Sequence, residues 1–218
     1  MKEVFSMKNY ENVMIFDHPL IRHKVAILRD KNTGMKDFRE LIEEITTIMA
    51  YEVLKEVPTH KVMVETPLET CEQEKIVEKS IALVPILRAG LGMVNGIHTL
   101  LPTAKVGHIG MYRDETTMEP QTYYCKLPDD IQNKKVILLD PMLATGGSAC
   151  AAIEYLKKIG CKDICLMDII GAPAGVEKVA ESHPDVKVYL STLDRELNDH
   201  CYILPGLGDA GDRLYGTK

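Results

Sequence analysis

The chain has 218 residues, of which 45% are hydrophobic and 27% charged, a composition typical of one globular domain covering residues 1–218. Its 26 basic and 32 acidic side chains give a formal charge of -6, which argues against binding nucleic acid through a broad basic surface. No apolar run reaches the roughly 20 residues of a membrane span, and the amino terminus lacks the apolar centre of a signal peptide. We therefore expect a cytoplasmic protein whose six cysteines stay reduced and are buried or half-buried.

Two helices are predicted in the first third of the chain. Apolar residues recur at helical spacing from Lys36 to Val57, with charged residues on the other face. The sequence Thr66-Pro67-Leu68-Glu69 has the form of a capping box with proline at the first helical position, and it predicts a second helix.

Beyond these helices, apolar strands alternate with helices of about a dozen residues. The predicted strands are SIALVPIL, AKVGHIGMY, TYYCKL, KKVILLD, DICLMDII and VKVYLS, and the predicted helices are LGMVNGIHTLL, GSACAAIEYLKKI and PAGVEKVAESH. This alternation predicts an α/β fold with a parallel sheet and helices on both faces. Ligands of such sheets bind beyond the carboxyl ends of the strands.

The segment VILLDPMLATGGSACAAI carries the strongest functional signal. A buried strand ends at Asp140, and a short turn leads to Ala144-Thr145-Gly146-Gly147-Ser148 at the start of a helix. Backbone N–H groups at a helix amino terminus, together with nearby hydroxyls, suit a phosphate dianion. An ordinary strand-to-helix connection would also contain such residues, but the acid at the strand end adds an acceptor for sugar hydroxyls.

The segment matches neither common nucleotide-binding motif. No lysine follows the glycines as a Walker loop requires, and there is no G-x-G-x-x-G. It resembles instead the loop of the type I phosphoribosyltransferases that binds 5-phosphoribosyl 1-diphosphate (PRPP). Most of that family have two consecutive acids here; Pro141 replaces the second, as in the uracil-specific branch.

Nearly the whole chain resembles the uracil phosphoribosyltransferases. The resemblance includes FDHPLI, NTGMKDFREL, VPILRAGLGM, GHIGMYRDE, YYCKLP and YILPGLGDAGDRLYGTK. It implies the type I phosphoribosyltransferase fold with a small carboxyl-terminal hood over the base. It also implies conversion of uracil and PRPP to UMP and pyrophosphate, with Mg²⁺ bound mainly by the diphosphate and water rather than by a protein cage.

The same resemblance assigns roles to individual residues. The implied PRPP-binding residues are Arg88, Arg113, Asp140, Pro141, Met142, Leu143, Ala144, Thr145, Gly146, Gly147, Ser148 and Asp209. Asp140, Arg113 and Asp209 are also expected to act in catalysis, Arg113 from a mobile flap. Taken alone, Arg88 would be interpreted as a surface arginine and the flap as a solvated hairpin loop. A strained non-proline cis peptide near Arg88 is a family feature that the sequence itself cannot show.

The glycine-rich segment GLGDAGD, which we expect to be neither helix nor strand, is implied to bind uracil through Ile203, Gly208, Asp209 and Ala210. Backbone groups would discriminate well, because uracil and cytosine present opposite donors and acceptors at the same edge.

Two alternatives remain at this point. One is a regulatory protein that keeps the fold but binds RNA, and the other is a phosphoribosyltransferase for another base. The resemblance further implies a homodimer or homotetramer and a candidate GTP effector, with no membrane partner.

Overall fold

The computed structural model of the chain describes residues 10–77, 80–113 and 120–217. The helices are α1 (Pro19–Arg29), α2 (Met35–Val53), α3 (Leu91–His98), α4 (Gly147–Lys158), α5 (Pro173–Ser182) and α6 (Ala210–Tyr215). The first eight strands are β1 (Val13–Ile15), β2 (Thr59–Glu65), β3 (Thr70–Ile76), β4 (Ile81–Leu87), β5 (Lys105–Val106), β6 (His108–Arg113), β7 (Pro120–Lys126) and β8 (Lys135–Leu139). The remaining strands are β9 (Met142–Leu143), β10 (Asp163–Gly171), β11 (Lys187–Leu193), β12 (Glu196–Leu197) and β13 (Ile203–Leu204).

A large, mainly parallel sheet organises these elements, in the order β1-β11-β10-β8-β4-β6-β7. Only the pairing of β6 with β7 is antiparallel along this path. The central strands β4, β8 and β10 are buried almost throughout, because helices cover both of their faces. Among the described residues, no helix combines the length and the apolar character needed to cross a bilayer.

The two faces of the sheet bury separate apolar clusters. Helices α1, α2, α3 and α6 pack over one face, where the fully buried side chains include Phe38, Ile42 and Met93. Helices α4 and α5 pack over the other face, around residues such as Ile153 and Val179. The predicted α/β class with helices on both faces is confirmed.

The helix predicted after Thr66 is wrong. Thr66 Oγ1 does accept hydrogen bonds from the N–H groups of Leu68 and Glu69, as a capping residue would. The chain then turns back, and the Thr66 N–H donates to Glu69 O at 3.0 Å. Strands β2 and β3 therefore form an antiparallel hairpin.

Four further differences concern the limits of predicted segments and the exposure of one cysteine. Helix α2 ends at Val53, four residues before the predicted Val57, and helix α1 was not predicted. Part of the glycine-rich segment is helical after all, because Asp209 Oδ1 accepts from Asp212 N and caps α6. Cys201 is exposed rather than buried, whereas the thiols of all six cysteines are free as expected.

Candidate active site

Asp140 lies directly after β8, at the carboxyl end of the sheet. Its N–H donates to Met167 O at 3.2 Å, and its Oδ1 accepts from Met142 N at 3.2 Å. Burial raises the pKa of Asp140 to about 7, and the hydrogen bond from Met142 N–H offsets only part of that rise. Near neutral pH the side chain therefore exchanges between a carboxylic acid and a carboxylate.

The turn after Asp140 remains hydrogen-bonded to β10. Ile170 N donates to Pro141 O at 3.0 Å, and Ala172 N donates to Leu143 O at 2.9 Å. Because these two bonds hold the turn to a central strand, residues 141–143 are fixed relative to the sheet.

Helix α4 begins at the end of this turn. Gly146 has φ +75° and precedes the helix, which begins at Gly147. The N-cap residue, Gly146, has no side chain that could cap this terminus, and Cys150 N donates to Gly146 O at 2.9 Å in the first turn. The N–H groups of residues 147–149 therefore have no acceptor within the helix, as a phosphate site requires. Ser148 is exposed beside them, and Ala144 and Thr145 are half-buried.

Asp168 is a second acid at this edge that the sequence analysis missed. It lies on β10 next to Met167, which pairs with Leu139, so Asp168 is opposite Asp140 on the neighbouring strand. Its side chain is fully buried, and neither carboxyl oxygen has a hydrogen-bond partner. Burial, and then the charge of Asp140, raise the pKa of Asp168 well above its usual range. The available signal was one acid inside the apolar run DICLMDII.

Arg88 lies on the turn between β4 and α3, and its peptide bond with Leu87 is cis. The side chain is exposed and lies 3.6 Å from Asp212, while Tyr215 Oη donates to Arg88 O at 3.1 Å. A side chain at Gly90 would overlap with Leu139 O, the residue before Asp140. The turn that carries Arg88 is thus packed directly against β8, the strand that precedes Asp140.

The glycine-rich segment lies on the other side of Arg88. A Cβ atom at Gly211 would be 3.2 Å from Asp209 Oδ1 and 3.8 Å from Arg88 Nη2, so these two polar groups flank the same glycine. Leu214 is fully buried and anchors α6, since a Cβ at Gly92 would lie 2.9 Å from its Cδ2.

Of the predicted base-binding residues, Gly208, Asp209 and Ala210 lie in this segment, and Ile203 precedes it in β13. Ile203 and Ala210 are buried, whereas Gly208 and Asp209 are exposed. Gly208 has φ +83°, a conformation that L residues rarely adopt. Asp140, Arg88 and Asp209 are therefore brought to one region, linked through Gly90 and Gly211.

Arg113 ends β6, three residues beyond Gly110, which pairs with the last residue of β4. Arg113 itself pairs with Pro120 of β7. Residues 114–119, in the middle of the predicted flap MYRDETTMEPQTYY, lie outside the described residues. Within the described ranges, no three His, Cys, Asp or Glu side chains cluster closely enough to hold a metal ion. A cavity of about 1080 Å³ lies beside edge strand β1, and none of the predicted site residues lines it.

Comparisons of the sequence with known proteins identify one family. A family model described as uracil phosphoribosyltransferase matches residues 14–217. The uracil phosphoribosyltransferase of Brevibacillus brevis is 57% identical over 206 residues, which are 94% of this chain and 99% of that protein. That of a Thermoanaerobacter species is 56% identical over 209 residues, covering 96% of this chain and 100% of that protein. The solved structure of the AQ2163 protein from Aquifex aeolicus has a TM-score of 0.87 at 39% identity and covers 93% of this chain and 97% of that chain.

Proposed function

The chain belongs to the uracil phosphoribosyltransferase family, and on that premise we propose that it transfers the phosphoribosyl group of PRPP to N1 of uracil, releasing UMP and pyrophosphate. It is a glycosyltransferase of pyrimidine salvage. The observation that carries this proposal is the family match over residues 14–217. The meeting of Asp140, Arg88 and the glycine-rich segment at one edge of the sheet supports it.

The 5-phosphate of PRPP binds at the amino terminus of α4 in this proposal. The N–H groups of residues 147–149, which have no acceptor within the helix, and the positive end of the helix dipole favour a dianion there. Arg88 then binds the diphosphate through its guanidinium, which offers a planar fork of donors to phosphate oxygens. Its exposure and its place on the turn beside β8 support this role.

Bond breaking at the ribosyl C1 places positive charge on the sugar and negative charge on the departing diphosphate, as in glycoside cleavage. The Asp140 carboxylate accepts hydrogen bonds from the ribose hydroxyls and stabilises the positive charge. Arg88 stabilises the diphosphate. Mg²⁺ enters as the metal complex of PRPP, so it belongs to the substrate and, when bound, offsets charge on the diphosphate.

Backbone groups of Ile203, Gly208 and Ala210 bind the uracil edge in this proposal. A side-chain amide could rotate to suit either pyrimidine, but an anchored backbone cannot exchange N–H for C=O. The Asp209 carboxylate, which has one oxygen engaged with Asp212 N, lies near Arg88 and contacts PRPP or its metal through water. Arg113, at the end of β6, is a further proposed ligand of the diphosphate.

A base panel tests the proposed activity. Purified protein is mixed with Mg²⁺, PRPP and one base at a time from uracil, orotate, cytosine, hypoxanthine and adenine, and products are separated by chromatography. We expect UMP and pyrophosphate when the base is uracil, and no nucleotide with any of the other four bases. A nucleotide formed from another base would support a phosphoribosyltransferase for that base. RNA binding, measured in a separate assay, without any nucleotide product would support the regulatory alternative.

Three further proposals concern the setting of the enzyme. We propose a homodimer or homotetramer, supported by the exposed apolar residues of the β2–β3 hairpin. A cytoplasmic location is supported by the six free thiols. GTP activation is tested by adding GTP to the uracil assay, where a rise in kcat or a fall in the KM of PRPP is expected.

A further inference from the structure

A partly buried ion pair contacts the glycine-rich segment. Arg29 is the last residue of α1, and Asp194 directly follows β11 with 7% of its surface exposed. Arg29 Nη1 donates to Asp194 Oδ2 at 2.7 Å, and Arg29 Nη2 donates to Asp194 Oδ1. This two-pronged geometry fixes both side chains more narrowly than a single contact would.

The same pair holds both backbone groups of Gly206. Arg29 Nη1 donates to Gly206 O at 2.6 Å, and Gly206 N donates to Asp194 Oδ2 at 2.9 Å. Gly206 has φ +63°, and any side chain there would overlap with Ile203 O. A residue conformation open only to glycine is therefore held in place from both its donor and its acceptor.

Arg213 holds the next residue from the same side. Its Nη1 donates to Leu28 O and Leu207 O, each at 2.8 Å, and its Nη2 donates to Asp30 O at 2.7 Å. Leu28 and Asp30 flank Arg29 at the end of α1, so three side chains tie residues 206 and 207 to one helix end. We call Arg29, Asp194 and Arg213 the hood clamp.

We propose that Arg29 and Asp194 are positioning residues for base recognition: by fixing Gly206, they hold the backbone groups of the following residues in the one geometry that pairs with uracil. The inference rests on the proposed uracil site. Backbone recognition discriminates only while the segment cannot shift, because a displaced segment could pair with another base edge. A purely structural ion pair would change stability without changing the KM of one substrate more than that of the other.

Substitution of Arg29 tests the proposal. Arg29→Lys keeps the charge but cannot bind both Asp194 oxygens and Gly206 O at once. We expect the KM of uracil to rise roughly 10- to 100-fold, since small misplacements of binding groups cost that much. The KM of PRPP should change less than about twofold, and the preference for uracil over cytosine should fall. Arg29→Met should show a larger effect of the same kind.

Asp194→Asn provides a second route, because it keeps the side-chain shape while weakening both the ion pair and the bond from Gly206 N. Lys24→Gln is the matched control: it removes another ion pair of α1, with Glu44, that contacts no residue of the hood clamp. Circular dichroism and thermal midpoints establish for each variant the temperature range in which it is folded, and the kinetics are measured there. If Arg29→Met does not fold, Arg29→Lys and Asp194→Asn decide.

The outcomes separate this inference from the proposed function. A wild-type protein that makes no UMP contradicts the proposed function. An active wild type whose folded Arg29→Lys and Asp194→Asn variants keep the wild-type KM for uracil overturns the positioning role. Equal increases in the KM of uracil and of PRPP would also overturn it, because they indicate a general distortion.

Discussion

At the scale of single residues, Asp140 determines how the proposed reaction depends on pH. Burial raises its pKa to about 7, and the carboxylate is the form proposed to accept hydrogen bonds from ribose hydroxyls. We therefore expect kcat/KM for PRPP to increase with pH through about 7 and to level off above it.

Asp140→Asn is the control for this pH profile. The variant should fold normally, lose kcat by roughly 10²- to 10³-fold, and lack the titration assigned to Asp140. A rise in rate that persists in the variant would belong to the substrate or to another group. Unchanged turnover would remove Asp140 from the site.

Asp168 should affect stability in the opposite sense to a paired carboxylate. Its pKa is raised in the folded state, so between its unfolded and folded pKa values the native protein binds more protons than the unfolded chain. The contribution of Asp168 to the free energy of unfolding should therefore fall as pH increases above about 4, the unfolded value.

Asp168→Asn removes this titration. The free energy of unfolding of the variant, relative to wild type, should increase steadily as urea denaturation is repeated from pH 5 to pH 8. Parallel stability curves for the two proteins would show that Asp168 is not a buried, unpaired acid.

At the scale of elements, the two glycines that flank α4 offer a matched pair of substitutions. Gly146 and Gly160 both have positive φ, at +75° and +97°, so alanine should cost about 1–2 kcal/mol of strain at either position. A Cβ at Gly146 would also lie 2.8 Å from Gly175 O, whereas at Gly160 the nearest atom is 3.6 Å away.

Only Gly146 lies at the proposed phosphate site. Gly146→Ala should raise the KM of PRPP as well as lower stability, and Gly160→Ala should lower stability alone. Steady-state kinetics beside denaturation curves measure both effects. An equal KM for PRPP in the two variants would argue against phosphate binding at the amino terminus of α4.

Several elements could be predicted from sequence because a single local signal decided them. The run SIALVPIL is apolar on both faces, as a central parallel strand requires. Helix α4 ends at Lys158, one residue before the end of the predicted helix GSACAAIEYLKKI. The Thr66–Glu69 spacing misled because the same hydroxyl-to-backbone bonds form at a helix start and in a tight turn. Asp168 and the Arg29–Asp194 pair have no motif, since only the folding of distant strands and helices gives them their neighbours.

At the scale of the whole molecule, the β2–β3 hairpin stands apart from the large sheet. Met63 is 67% exposed and Leu68 is 95% exposed, and most other residues of the two strands are exposed as well. An isolated two-stranded hairpin is marginally stable in water. We therefore expect it to contact a second copy of the chain.

Light scattering after size-exclusion chromatography tests this assembly. The wild type should have a multiple of the chain mass, and Met63→Glu combined with Leu68→Glu should lower it. Tyr51→Glu, at a position 78% exposed on α2, is the control and should leave the mass unchanged. A monomeric wild type would contradict the predicted homo-oligomer.

The docking of α6 through Leu214 also has a consequence for the newborn polypeptide. Ribosomes synthesise a chain from its amino terminus onward, so the Asp140–Ser148 turn leaves the ribosome before the helix that follows Asp209. The proposed sugar-phosphate site is thus synthesised before the segment proposed to select the pyrimidine. We therefore expect turnover only after Leu214 has packed beside Gly92.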